Sequence, residues 1–133
     1  MRLFVDTSAW LAINDKNDQY HREALSRNVI IKARKLDLVT SDYVIDETLT
    51  IIRYRVSHKA AVVFGDSLMD SRIVTIFAIT DNERLAAWAL FKKYSDKELS
   101  FTDCASFALM KKLGVRQAFS FDNRFRQTGF QLF

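Results

Sequence analysis

Four carboxylates in this chain stand where they could act together. Asp6 follows the apolar run Leu3-Phe4-Val5, and Asp122 follows Ala118-Phe119-Ser120-Phe121. An acid just past a strand usually caps a helix or closes a turn, so neither is telling alone, but two at one edge of one sheet could face each other. Glu47 lies in the segment Tyr43 to Val56, where helical spacing puts it on a face with Val44, Thr48, Ile51 and Tyr54. Asp46 aligns instead with Asp42, Thr50 and Arg53, so Glu47 reads as inward and Asp46 as solvated. An acid on an apolar stripe needs a cation or hydrogen bonds, and an arginine is one way to supply them. Asp103 comes three residues after Ser100 and heads the almost uncharged stretch Cys104 to Met110. That spacing suits a capping box, which stabilises a helix start without any further role. Four acids gathered without a counterion repel and raise one another's pKa values, so a divalent cation is the natural resolution. Oxygen ligands alone select a hard ion, Mg²⁺ or Mn²⁺, over zinc.

Other chemistries find little support. His21 and His58 are too far apart for an H-x-x-x-H zinc motif and both read as exposed helix positions. The single cysteine, Cys104, sits on an apolar helix and reads as a small core residue rather than a nucleophile. No G-x-S-x-G elbow is present. Gly65, Gly114 and Gly129 are the only glycines and lie far apart, so neither a P-loop nor a dinucleotide-binding turn can be built.

The elements that must position the acids follow from periodicity. Leu3 to Val5, Leu38 to Thr40, Ile73 to Ile79, Ala118 to Phe121 and Phe130 to Phe133 read as strands. Helices are expected from Thr7 to Ile13, Asp18 to Arg34, Tyr43 to Val56, Ser57 to Asp70, Thr80 to Tyr94 and Ser100 to Leu113. Thr80-x-x-Glu83 and Ser100-x-x-Asp103 mark two of the starts, and Gly114 marks a stop. Strands alternating with helices require crossovers, so the sheet is expected to be mostly parallel and covered on both faces, with its site at the carboxyl ends of the strands.

The 133 residues suit a single α/β domain, residues 1–133, without linker or repeat. No apolar stretch approaches the ~20 residues of a bilayer span. The start Met1-Arg2-Leu3-Phe4-Val5-Asp6 meets an acid where a secretory signal needs an apolar region, which points to the cytoplasm. Twenty Lys plus Arg against sixteen Asp plus Glu give a charge of +4, which favours a polyanionic partner without requiring one.

The segments Phe4-Val5-Asp6-Thr7-Ser8-Ala9, Val44-Ile45-Asp46-Glu47-Thr48-Leu49, Ser100-Phe101-Thr102-Asp103-Cys104-Ala105 and Ser120-Phe121-Asp122-Asn123-Arg124-Phe125 together resemble the PIN domain, and within it the VapC-like toxins. The resemblance covers essentially the whole chain and rests on the joint order of the four acids. It implies a three-layer fold with a mostly parallel sheet of about five strands, and a Mg²⁺-dependent endoribonuclease in which Mn²⁺ can substitute. It implies metal-site roles for Asp6, Glu47, Asp103 and Asp122, with Asp6 and Asp103 the principal ligands. Ser8 would be a polar neighbour of the site, and so would Ser120, which stands where the family often has threonine. Arg53, Arg55, Lys59, Arg124 and Arg126 become candidates for RNA phosphate contacts. It further implies a homodimer held in check by a small antitoxin encoded upstream. A housekeeping RNA-processing nuclease, or a PIN domain used only as a binding module, is the alternative. A receiver-type signalling domain would need an adjacent acid pair after the first strand and a lysine after the last, and Asp6-Thr7 and Phe133 supply neither.

Overall fold

The computed structural model describes all residues, 1–133. Five strands, β1 (Arg2–Val5), β2 (Asp37–Ser41), β3 (Val74–Phe77), β4 (Gln117–Phe119) and β5 (Gln131–Leu132), form one sheet in the order β3-β2-β1-β4-β5. Every neighbouring pair is parallel, and Phe4 of the central strand is in register with both Val39 and Ala118. Leu3, Phe4 and Val5 are all buried, as expected for a strand covered on both faces rather than on one.

Seven helices surround the sheet: α1 (Thr7–Asn14), α2 (His21–Arg34), α3 (Asp42–Arg55), α4 (His58–Asp70), α5 (Asp81–Lys93), α6 (Phe101–Leu113) and α7 (Arg124–Gln127). Helix α1 packs on α2 and α3, α3 on α4, and α5 on α6. The three-layer α/β architecture expected from the sequence is present. The apolar head of α6 accounts for its depth, since Cys104 to Met110 are buried without a break. Gly114, at φ 68°, stops that helix in the left-handed conformation that glycine adopts without steric cost.

The chain runs from β1 outward to β2 and β3, then returns to the other side of β1 for β4 and β5. The reversal lies between β1 and β4, and a parallel sheet opens a crevice at such a point, at the carboxyl ends of its strands. Asp6 directly follows β1, and its amide extends the β1–β4 ladder by donating to the Phe119 carbonyl at 3.1 Å.

Several boundaries differ from the sequence reading. Strand β4 ends at Phe119 rather than Phe121, because Ser120 and Phe121 turn their polar groups to the crevice. Strand β3 ends at Phe77 rather than Ile79, and the Ile79 amide donates to Asp42 Oδ1 at 2.9 Å instead of to a strand. Helix α2 starts at His21, since Asp15 and Asp18 hold the preceding turns by accepting from the Asn17 and Tyr20 amides. Tyr54 is 82% exposed, so it does not belong to the inward face of α3, whose last buried residue is Ile52. The short helix α7 was not expected. It is anchored by Phe125, which is fully buried against Phe107 at 5.0 Å and Phe4 at 6.4 Å.

Candidate active site at the β1–β4 crevice

Asp6 is the N-cap of α1 and is buried. Its Oδ2 accepts from the Ser8 hydroxyl at 2.9 Å, from the Ser120 hydroxyl at 3.0 Å and from the Ser8 amide at 3.4 Å. The two hydroxyls also touch each other at 3.1 Å. Ser8 Oγ further accepts from the Phe121 amide, and Ser120 Oγ from the Asp122 amide, each at 3.0 Å. The pair of serines thus joins the ends of β1 and β4 and fixes the Asp6 rotamer. All three bonds fall on Oδ2, and Oδ1 has no protein partner.

Asp103 completes the expected capping box. Its Oδ2 accepts from the Ser100 amide at 2.9 Å, and the Ser100 hydroxyl accepts from the Asp103 amide at 3.0 Å. Its side chain is 13% exposed, and its other oxygen is also unbonded. Asp122 is held differently: it accepts from the Arg124 amide and Nε at 2.9 Å and from the Arg124 Nη2 at 2.6 Å. The same guanidinium reaches to 3.9 Å from Asp103 and donates to the Glu98 carbonyl.

The electrostatics divide the three acids. Burial pushes the Asp6 carboxyl up, the nearby Asp103 charge pushes it further, and the serine hydroxyls only partly offset this, leaving it at about 6. Burial also raises Asp103, against hydrogen bonds from Ser100 and the charge of Arg124, with Asp122 adding to the rise. Burial would raise Asp122 too, but the bonds and charge of Arg124 together outweigh it and hold that carboxyl below its ordinary value. Arg124 in turn is held more firmly protonated, by its bond to Asp122 and by the charges of Asp122, Asp103 and Asp6. The guanidinium therefore bonds Asp122 and stands 3.9 Å from Asp103, and it makes no bond or ion pair with Asp6.

Glu47 stands apart. It is half-buried on α3 while Asp46 is exposed, as the spacing predicted, but no hydrogen bond or ion pair reaches it. No three His, Cys, Asp or Glu side chains converge closely enough in their present rotamers to grip one ion. The donor set nonetheless fits a hard divalent cation, because Asp6 and Asp103 each keep an unbonded carboxylate oxygen and burial, with neighbouring acid charge, disfavours the ionised form of both, which a cation would reverse.

The other candidates are scattered. Arg53, Arg55, Lys59 and Arg126 are exposed, and none pairs with the acids of the crevice. Arg53 lines a cleft between α3 and α4 with His58 and Asp66, whereas Arg55 lies 3.9 Å from Asp18. Only Arg124 of the five basic candidates is at the acids. His58 is exposed as expected. His21 is a correction, being half-buried with Nδ1 2.6 Å from the Ala12 carbonyl, where it ties α2 to α1. Sequence reasoning missed the Arg124 clamp on Asp122 beside Asp103, and it missed Tyr20, whose ring stacks on Phe121 at 4.6 Å. The Asp-x-Arg spacing was a signal for the first, and no local signal marked the second.

Comparison with known proteins agrees with this architecture. The PIN domain family model matches residues 3–131. The 23S rRNA-specific endonuclease VapC20 of Mycobacterium tuberculosis is 33% identical over 128 residues, covering 96% of this chain and 95% of that protein. The crystal structure of VapC20, described as a sarcin-ricin loop cleaving toxin, superposes with a TM-score of 0.87 over the same 96% and 95%. VapBC2 from Rickettsia felis, bound to a promoter DNA fragment, shares the fold at a TM-score of 0.73 and 10% identity, covering 100% of this chain and 98% of that one. FitAcB from Neisseria gonorrhoeae does so at 0.67 and 17%, covering 100% and 96%. With its four acids in order along a five-stranded parallel sheet and the family model spanning nearly its full length, this chain belongs to the PIN domain family.

Proposed function

We propose that this chain is a Mg²⁺-dependent endoribonuclease, the toxin of a toxin–antitoxin pair, with Mn²⁺ able to substitute. The observation that carries the reading is the arrangement of Asp6 and Asp103. Asp6 is buried and Asp103 partly buried, and each has an unbonded oxygen and a raised pKa at the switch point of the sheet, in a chain 33% identical to a 23S rRNA-specific endonuclease. PIN nucleases generally use a divalent metal. Asp6 and Asp103 would be the principal ligands here, with Glu47 and Asp122 binding directly or through water. When bound, the ion supplies an acidified water and positive charge against the scissile phosphate.

The residues of the chain do the rest. Ser8 and Ser120 occupy Asp6 Oδ2 so that Oδ1 faces a fixed direction, and this preorganisation saves the cost of ordering the carboxylate during the reaction. Asp122 holds the Arg124 guanidinium beside the acids through Nε and Nη2, where its remaining N–H groups can contact a phosphate. Because water rather than the ribose 2′-hydroxyl attacks, the fragments carry a 5′-phosphate and a 3′-hydroxyl.

No helix of the chain is long and apolar enough to cross a membrane, and the reading places the protein in the cytoplasm as a homodimer. An unrestrained ribonuclease endangers its own cell, so a small antitoxin encoded upstream is the expected partner. A peptide inserting Arg or Lys among the acids would be the simplest inhibitor of such a crevice. The test is expression of the chain alone, with its upstream partner, and as Asp6→Asn. Growth arrest with cleaved 23S rRNA from the first only is the expected result. Harmless expression with intact RNA would favour the housekeeping role.

A further inference from the structure

Beside the acids lies a rim that the cleavage chemistry does not use. Phe121 sits in the chain between Ser120 and Asp122, and its amide donates to Ser8 Oγ at 3.0 Å. Its ring is therefore one residue from each of two groups at the crevice. Tyr20, at the entry to α2, lies parallel on that ring, with centroids 4.6 Å apart and planes 5° apart. The Arg27 guanidinium is 5.5 Å from the Phe121 centroid, and Phe119 meets Phe121 edge-on at 5.9 Å. Tyr20 is held from its backbone as well, since its amide donates to Asp18 Oδ1 at 2.8 Å and Asp18 lies 3.9 Å from Arg55. Yet 37% of Tyr20 remains exposed, and its hydroxyl makes no bond within the protein. A large aromatic that is rigidly oriented, supported on one face and open to solvent lacks what an ordinary buried core ring has.

We propose that the open side of Tyr20, backed by Phe121, is a stacking platform for one unpaired RNA base next to the scissile phosphate. The inference rests on the endoribonuclease reading and adds to it a residue that positions one base. Every base offers a π-face, so a third ring can extend a parallel pair irrespective of its identity. Single-stranded loops, whose bases can be splayed out, are the RNA form that such platforms take. Arg27 and Arg55 place two cations on the same rim. The phosphates flanking a stacked base can engage both in competition with their present carboxylate partners Glu23 and Asp18.

The experiment separates this from the catalytic reading by measuring binding in the Asp6→Asn background, where cleavage is not needed. The probe is an RNA hairpin with 2-aminopurine placed in turn at each loop position, with matching abasic hairpins. Tyr20→Ala is expected to weaken binding about 5- to 100-fold and to abolish the fluorescence quenching of 2-aminopurine at one loop position. Tyr20→Phe and Tyr20→Trp should restore both, whereas Tyr20→Leu, which keeps apolar cover over Phe121, should not. With an abasic site at that position, all five proteins should bind equally weakly. Equal performance of Leu and Phe, unchanged affinity in Tyr20→Ala, or the same loss on every abasic hairpin would overturn the platform, even if the parent chain cleaves RNA. A Tyr20→Ala protein that binds RNA normally but escapes antitoxin neutralisation would also overturn it and assign the rim to protein docking. Failure of the parent protein to cleave any RNA would instead remove the catalytic reading.

Discussion

Helices α5 and α6 begin with the same device and end up in opposite electrostatic states. Glu83 is the third residue of α5 and accepts from the Thr80 amide at 2.9 Å; Asp103 is the third residue of α6 and accepts from the Ser100 amide at the same distance. Glu83 is 3% exposed, but Lys112, from the last turn of α6, comes within 2.5 Å of it. The bond to Lys112 outweighs burial and holds the Glu83 carboxyl below its ordinary value. Burial pushes the Asp103 carboxyl up and the Asp122 charge adds to the rise, while its nearest cation, Arg124, stands off at 3.9 Å. The capping box is local and identical in kind. What differs is the charge that the rest of the fold brings to the acid: balanced in one case, short of positive charge in the other.

The largest expected effect comes from neutralising each cap acid in turn. Asp103→Asn should lower RNA cleavage by about 100-fold or more while leaving the unfolding midpoint in urea unchanged or higher, because a site that stabilises transition-state charge loses a ligand while the fold loses a repulsion. Glu83→Gln should do the reverse. It removes the ion pair with Lys112, which is 57% exposed and stays hydrated, and should cost about 0.5–1 kcal/mol of stability, with cleavage within about threefold of the parent.

Stability as a function of pH sharpens the contrast. In metal-free protein the folded chain keeps a proton on Asp6 up to about pH 6, whereas the ordinary value is 3.8. Between about pH 4 and 6 the folded state binds more protons than the unfolded, so stability falls as pH rises. At pH 7, Asp6→Asn should therefore be more stable than the parent by about 2–3 kcal/mol. Asp103 acts in the same direction. Glu83 acts in the other: its contribution is complete above its ordinary 4.5 and is lost as pH falls through the lower folded value. Chemical denaturation from about pH 4 to 7 should give a steeper downward slope for Glu83→Gln than for the parent, and a flatter one for Asp6→Asn.

A smaller effect tests whether Arg124 serves as the counterion of the crevice. Guanidinium and metal draw on the same carboxylates, so Arg124→Gln should bind Mn²⁺ several-fold more tightly by calorimetry. An unchanged affinity would mean that the guanidinium does not compete. Smallest of all, His58→Ala and Cys104→Ser should leave turnover within a few-fold of the parent, because neither an imidazole base nor a thiol enters the chemistry.

What the sequence revealed follows the range of the forces involved. The capping boxes at Thr80 and Ser100, the inward turn of Glu47 against Asp46, and the strand before Asp6 are set by neighbours within a turn or two, and all were legible. The end of β4 was not, because Ser120 and Phe121 leave the strand to serve Asp6 and Ser8 from more than a hundred residues away in sequence. Helix α7 was hidden for a different reason: four residues show no period, and its stability comes from Phe125 packed on Phe4 and Phe107. Arg124 was legible as a basic residue near an acid. That its guanidinium would also stand 3.9 Å from Asp103 depends on the head of α6 meeting the segment after β4. The remaining basic candidates show the limit of charge alone, since Arg53, Arg55, Lys59 and Arg126 stand exposed without touching those acids.

The most direct test of the central claim is the cleavage of a 23S rRNA fragment by the purified parent, Asp103→Asn and Glu83→Gln proteins, side by side with Mg²⁺ and with excess EDTA. Rapid cleavage to 5′-phosphate ends is expected from the parent and from Glu83→Gln with Mg²⁺, and none from Asp103→Asn or from any of the three in EDTA. Cleavage by Asp103→Asn at the parental rate, persistence of activity in EDTA, or 2′,3′-cyclic phosphate ends would contradict it.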